Sequence, residues 1–146
     1  MGIKLGMEAK LYRNTGTHAA PVWAELTNVR DVTLNLETGD ADVTTRNNAG
    51  WKASVATLKD ASIEFEMVWD PTDAGFAAIK NAFFGNLPLE FAVMDGAIAT
   101  SGSQGLRATM SIMNFSREEP LDDSIKVKVT AKPTYAANAP EWLVVP

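Results

Sequence analysis

Hydrophobic and polar residues alternate most cleanly between Lys59 and Trp69, where Ala61, Ile63, Phe65, Met67 and Trp69 interleave with Asp60, Ser62, Glu64 and Glu66. A period of two marks a strand with one buried and one wetted face. At Asp70 the period changes. Asp70 can accept from free N–H groups of a following turn, Pro71 suits a first helical position that needs no N–H, and Asp73 places negative charge at the positive end of the helix dipole. Phe76, Ile79 and Phe83 then recur at spacings of three and four, which gives a helix one apolar face to lay on a sheet. Gly85 and Asn86 supply the left-handed stop and Pro88 follows. The pattern predicts one short helix over about Pro71 to Phe84.

Elsewhere the chain alternates or turns. Met7 to Arg13 reads as a short strand, followed by a turn-rich loop from Asn14 to Pro21. Trp23 to Leu36 alternates again, with Val32, Leu34 and Leu36 on one face. Glu37-Thr38-Gly39-Asp40 resembles a hairpin connection, with Ala41 to Arg46 as its return strand and Asn47 to Leu58 as a loop of roughly a dozen residues. Beyond the helix, Leu89, Phe91 and Val93 mark a strand. A Gly- and Ser-rich loop, a strand through Leu106, Ala108, Met110 and Ile112, and an acidic turn, Ser116 to Ser124, come next. Ile125, Val127, Val129 and Ala131 then alternate with Lys126, Lys128, Thr130 and Lys132, whose lysines either protect an edge or meet acids of this chain or a neighbour. The apolar tail around Trp142 needs cover. The expected fold is mainly β, a sandwich or barrel with one short flanking α-helix and a long hairpin-loop arm.

At 146 residues and 46% hydrophobic, the chain is of single-domain size and can bury a core. Thirteen basic against eighteen acidic residues give 13 − 18 = −5, the wrong sign for gripping nucleic acid through its phosphates. Without cysteine there is no disulfide framework and no thiolate metal site. No signal-peptide pattern or apolar run of membrane length is present, so a soluble, unsecreted protein is expected. The Met-Gly start raises N-myristoylation, but Gly6 stands where Ser or Thr is needed.

Candidate chemistry is thin. Glu64 and Glu66 project from one strand face about 6.5 to 7 Å apart, within the range of a glycosidase pair, yet such carboxylates normally come from separate elements around a cleft. Alternate glutamates on a strand more simply form a solvated or subunit-facing surface. His18, the sole histidine, has no partners in sequence and is expected to face solvent. The Gly-rich loop lacks the phosphate-binding pattern, and Asp40-Ala41-Asp42 begins a calcium-loop spacing that does not continue. No catalytic residue, cofactor or metal is expected.

The hairpin and loop carry an imbalance instead. Glu37, Asp40 and Asp42 meet no base until Arg46, and Trp51 falls where a monomer would expose it. Either the aromatic folds back on the core, or the segment orders against another subunit, since aromatic and arginine side chains are common interface anchors.

Taken together, Asp42-Val43-Thr44-Thr45-Arg46, the following Gly50-Trp51 and the strand ending Trp69-Asp70 before a short helix resemble the phage tail tube proteins, the major tail proteins of long-tailed bacterial viruses. The likeness spans about Met7 to Lys132. It implies hexameric rings stacked into a hollow tube through which DNA passes without specific binding, in a virion assembled in the host bacterial cytoplasm. The partners it implies are the chain itself and the tail tip, tape measure and tail terminator proteins, with no membrane. It places Asp40, Asp42, Thr44, Arg46 and Trp51 at subunit contacts, and an acidic lumen, with Glu64 and Glu66 as its candidates, would let DNA slide. A single tail-tube domain over 1–146 is expected, without the C-terminal immunoglobulin-like domain of some relatives. The alternatives are a tube protein of a secretion or contractile injection system, whose fold is shared, and a monomeric β-sandwich ligand-binding module.

Overall fold

The computed structural model describes residues 3–146; Met1 and Gly2, where a myristoylation signal would begin, lie outside the described residues. Its strands are β1 (Lys10–Asn14), β2 (Trp23–Glu25), β3 (Val29–Asp42), β4 (Ser54–Val68), β5 (Leu89–Met94), β6 (Gln104–Glu118), β7 (Lys126–Pro133) and β8 (Glu141–Val144), with one helix, α1 (Ala74–Gly85), between β4 and β5. All pair antiparallel in one sheet of order β2-β1-β5-β6-β7-β4-β3, and β8 pairs with β6.

β2 and β3 are opposite ends of that path, yet only residues 26–28 separate them in sequence. Such a link reaches at most ~14 Å, so the sheet must curl until its two edges nearly meet. The fold is therefore mainly β, as predicted, and its form is a single sheet rolled into an open barrel. Its seam is a groove of about 770 Å³ between β1 and β3, floored by Leu11, Leu26 and Leu34.

The alternation in β4 behaves as read: Ala61, Ile63, Phe65 and Met67 are buried while Glu64 is exposed. They join Val127, Val129 and Ala131 of β7, Leu106 to Ile112 of β6 and Phe91 of β5 in one core, where each large side chain contributes about 1.5–3 kcal/mol by leaving water. In β6 a bulge between Ile112 and Asn114 turns Met113 outward, so that Ile112 and Phe115, three residues apart, both face inward. Phe115 thereby reaches the helix. Its ring lies 6.0 Å from Phe76 and stacks on Phe83, and Phe76 also meets Trp69 edge-on at 4.7 Å.

The helix starts later than its sequence suggests. Asp73, not Asp70, is the N-cap, and its carboxylate accepts from Phe76 N–H at 2.9 Å. Asp70 is occupied by the preceding turn, accepting from the amide and hydroxyl of Thr72, so Pro71 belongs to that turn. At the other end Asn86 takes the left-handed conformation with φ 53° and closes the helix.

The hairpin connection lies beyond Glu37-Thr38-Gly39-Asp40. β3 runs through Glu37-Thr38-Gly39-Asp40 to Asp42, and β4 begins at Ser54, so the connection is residues 43–53 and the return strand is β4 itself. Gly39 lies within a register shift between Thr38 and Asp40, where β4 carries an extra residue; a bulge, not a turn, uses the glycine. Of the three lysines, on a β7 that lies inside the sheet, Lys126 pairs with Asp123 at 2.7 Å and Lys128 with Glu118 at 3.2 Å within the chain, while Lys132 makes no ion pair among the described residues.

Candidate functional site

β7 covers β4 only from Ile63 to Val68. Beyond that point β3 and β4 continue as a two-stranded arm that leaves the body by about 30 Å before its tip. From Glu37 to Asp60 no residue is buried, and an isolated two-stranded hairpin is marginal in water. The arm's apolar side chains have no cover in this chain: Trp51 is 77% exposed and Leu58 86%.

Five residues expected at subunit contacts all fall on the distal arm, though they do different things. Asp40 and Asp42 sit in the ladder opposite Ala56 and Ser54. The carboxylate of Asp42 accepts from Thr44 N–H at 2.9 Å, and its pKa is held below the usual value by hydrogen bonds from the Thr44 hydroxyl and amide. Thr44 Oγ1 in turn accepts from Ala53 N–H at 2.9 Å, so this side chain closes the tip. Arg46 opens a single 3-10 turn, after which Ala49 (φ 52°) and Gly50 (φ 86°) reverse the chain and present Trp51. Arg46 makes no ion pair among the described residues, and neither its guanidinium nor the Trp51 ring is spent on the fold.

A second feature is a bare sheet face. The outward side of β3, β4, β7 and the C-terminal half of β6 carries Asp31, Thr33, Glu64, Asn114, Lys128 and Thr130 around a shallow depression. Glu64 stands between Thr33 and Thr130 with no ion pair among the described residues. Glu66 is balanced, its Oε1 lying 3.9 Å from both Arg30 and Lys126. The two glutamates thus share a polar surface but do not form a catalytic pair in a cleft.

The outward side of the other half of the sheet is covered, and here the expectation for His18 fails. Its Nδ1 lies 2.6 Å from Oε2 of Glu90, and its carbonyl accepts from Arg107 Nη2. Glu90 also accepts from Asn14 Nδ2 at 2.6 Å and Arg107 Nη2 at 3.1 Å. Glu90 and Arg107 side chains are only 9% and 10% exposed. Burial pulls the Glu90 pKa up, but hydrogen bonds from Arg107, His18 and Asn14 outweigh it and hold the carboxyl below its usual value. Arg107 is flanked by Glu141 at 3.6 Å and lies over the Trp23 ring at 5.2 Å. The network pins the 15–22 loop to β5 and β6, beside a small apolar cluster of Tyr12, Ala92 and Met94 that Leu143 and Val145 pack against. The tail therefore finds part of its cover within the chain, while Trp142 stays half exposed. Sequence offered no signal for this network, whose His18–Glu90 and Arg107–His18 contacts join residues 72 and 89 positions apart. Among the described residues no group of three or more His, Cys, Asp and Glu could hold a metal ion, and no helix is long and apolar enough to cross a membrane.

The open barrel with one flanking helix recurs in solved assemblies. It superposes with a TM-score of 0.73 on a chain of the tail of an empty gene transfer agent particle, computed with helical refinement and C6 symmetry, at 15% identity over 99% of this chain and 100% of that one. A chain of the native gene transfer agent virion gives 0.73 at 14% identity over 97% and 100%. The SPP1 tail tube gives 0.71 at 11% identity over 89% of this chain and 75% of that one. No curated protein sequence matches the chain. The profile of the phage tail tube proteins matches residues 9–134. The chain belongs to the phage tail tube protein family, and so is a structural component of a virion tail.

Proposed function

We propose that this chain assembles into six-membered rings that stack into a hollow tail tube, the conduit for DNA during ejection. The observation that carries the reading is the arm: its paired strands have no buried residue and end in an exposed Trp51 and an Arg46 without an ion pair among the described residues, a marginal structure that another subunit would cover and steady. The six-fold symmetry of the gene transfer agent tail supports a ring of the same order. Asp40, Asp42, Arg46 and Trp51 make the contacts, while Thr44 acts by holding the tip in shape. The bare face of β3, β4, β7 and β6 lines the lumen, with Glu64 as its unneutralised acid and Glu66 as a paired one; a polar wall with no basic excess lets DNA slide. The protein has no catalytic role. Rings form in the host cytoplasm, and the tube ends on tip and terminator proteins around a tape measure. A weaker likeness to the baseplate of the anti-feeding prophage, TM-score 0.52 at 8% identity, supports an injection-system tube as the second reading.

The test is sedimentation and negative-stain microscopy over a concentration series, with and without tail tips as seeds. Rings or tubes with a central channel are expected. A strict monomer at every concentration that also fails to extend seeds would overturn the proposal.

A further inference from the structure

β4 connects two poles of the molecule. Its fifteen residues at about 3.3 Å each put the arm end and the Val68 end roughly 45 Å apart. Val68 pairs with Lys126, and Trp69 N–H donates to Ile125 O at 2.9 Å. The turn between β6 and β7 therefore lies at the pole opposite the arm.

The two poles are opposite in charge and alike in exposed apolar surface. The arm tip, residues 43–53, contains Arg46 and Lys52 and no acid, beside the exposed Trp51. The turn, residues 119–125, contains Glu119, Asp122 and Asp123 and no base, around a Leu121 that is fully exposed. Asp123 is engaged by Lys126 and Glu119 by Arg117, whereas Asp122 has no ion pair among the described residues. Neither pole can satisfy the other within one chain, because the length of β4 separates them.

Resting on the tube reading, we infer that the arm tip docks on the β6–β7 turn of a second copy, Trp51 covering Leu121 while Arg46 and Lys52 face Asp122 and Glu119. The contact is heterologous, one pole on the opposite pole, and along a common axis it repeats without closing. In the inferred stack it joins successive rings, and neighbours within a ring meet through other surfaces. Its charges lie at the rim of an apolar centre, so it weakens as salt rises.

Paired charge reversal tests the match. Variant A carries Arg46→Glu and Lys52→Glu; variant B carries Glu119→Lys and Asp122→Lys. In each alone, both poles bear one sign, and stacking should weaken by about tenfold or more in the concentration needed for tubes. Mixed one to one, the acidic tip of A meets the basic turn of B and the basic tip of B meets the acidic turn of A, so tubes should return. That rescue also shows both variants folded. Tubes formed by A or B alone at the wild-type concentration would overturn the docking while leaving the tube reading intact. Folded A and B, verified by circular dichroism, that stay unstacked when mixed would overturn it as well. A wild-type chain that never assembles, even on seeds, removes the tube reading and the docking together.

Discussion

Glu90 is the acid whose removal should be felt most. In Glu90→Gln the side chain keeps its shape but loses the charge that faces Arg107 at 3.1 Å and His18 at 2.6 Å. Arg107, with a side chain 10% exposed, keeps the His18 carbonyl, the more distant Glu141 carboxylate and the Trp23 ring. Leaving one member of a buried pair uncompensated costs about 3–5 kcal/mol, and the residual partners place the expected loss near the lower end, about 3 kcal/mol. Replacing both members, as Glu90→Gln with Arg107→Met, removes the stranded charge and should cost less than Glu90→Gln alone. The pH dependence has a fixed sign. The folded carboxyl has a lowered pKa, so its contribution is complete above the unfolded value near 4.3 and is lost as pH falls through the folded value. Urea unfolding of the unassembled protein from neutral pH down through the unfolded carboxyl value should show the gap between wild type and Glu90→Gln narrowing on the acid side. A gap that is independent of pH, or a double variant less stable than Glu90→Gln, would refute the reasoning.

Four further changes separate fold from assembly. Gly105→Ala would place a Cβ 1.7 Å from the Val93 carbonyl oxygen in the neighbouring strand; since backbone must move, a loss of about 3 kcal/mol or more in denaturant unfolding is expected. Asp73→Ala removes the cap on Phe76 N–H and should cost about 1 kcal/mol by the same assay, whereas Asp70→Ala should leave helix content by circular dichroism unchanged. Trp51→Ala touches no core and should change monomer stability by less than about 0.5 kcal/mol. If Trp51 anchors a contact, its loss there is about 2 kcal/mol, a rise of roughly thirtyfold in the concentration needed for assembly, read by sedimentation.

Regular alternation was the legible part of this chain. From Ala61 to Met67 and from Val127 to Ala131, period two reported burial directly, because a rolled sheet with one core has one inner face. The helix was legible in its stripe but not in its start, since Asp70 and Asp73 are equally good caps by residue type and only the Thr72 contacts to Asp70 decide between them. Gly39-Asp40 misled for a related reason. A glycine and an acid read as a turn, yet opposite a bulge in a long ladder the same glycine only leaves room for Thr57 Oγ1, and local sequence does not distinguish the two uses. The arm's exposed tryptophan and arginine were visible as residues without partners, and the structure leaves both exposed. The His18 network was invisible, because histidine in a polar loop acquires its role only when β5 and β6 bring Glu90 and Arg107 beneath it.

The most direct test of the account is cryo-electron microscopy of the assembled protein at a resolution that traces strands. The account predicts six subunits per ring, with the outward face of β4 and β7, including Glu64, on the central channel and the arms in contact with neighbouring subunits. Rings whose channel is lined instead by the helix or by the His18–Glu90–Arg107 side, with the arms free in solvent, would contradict it.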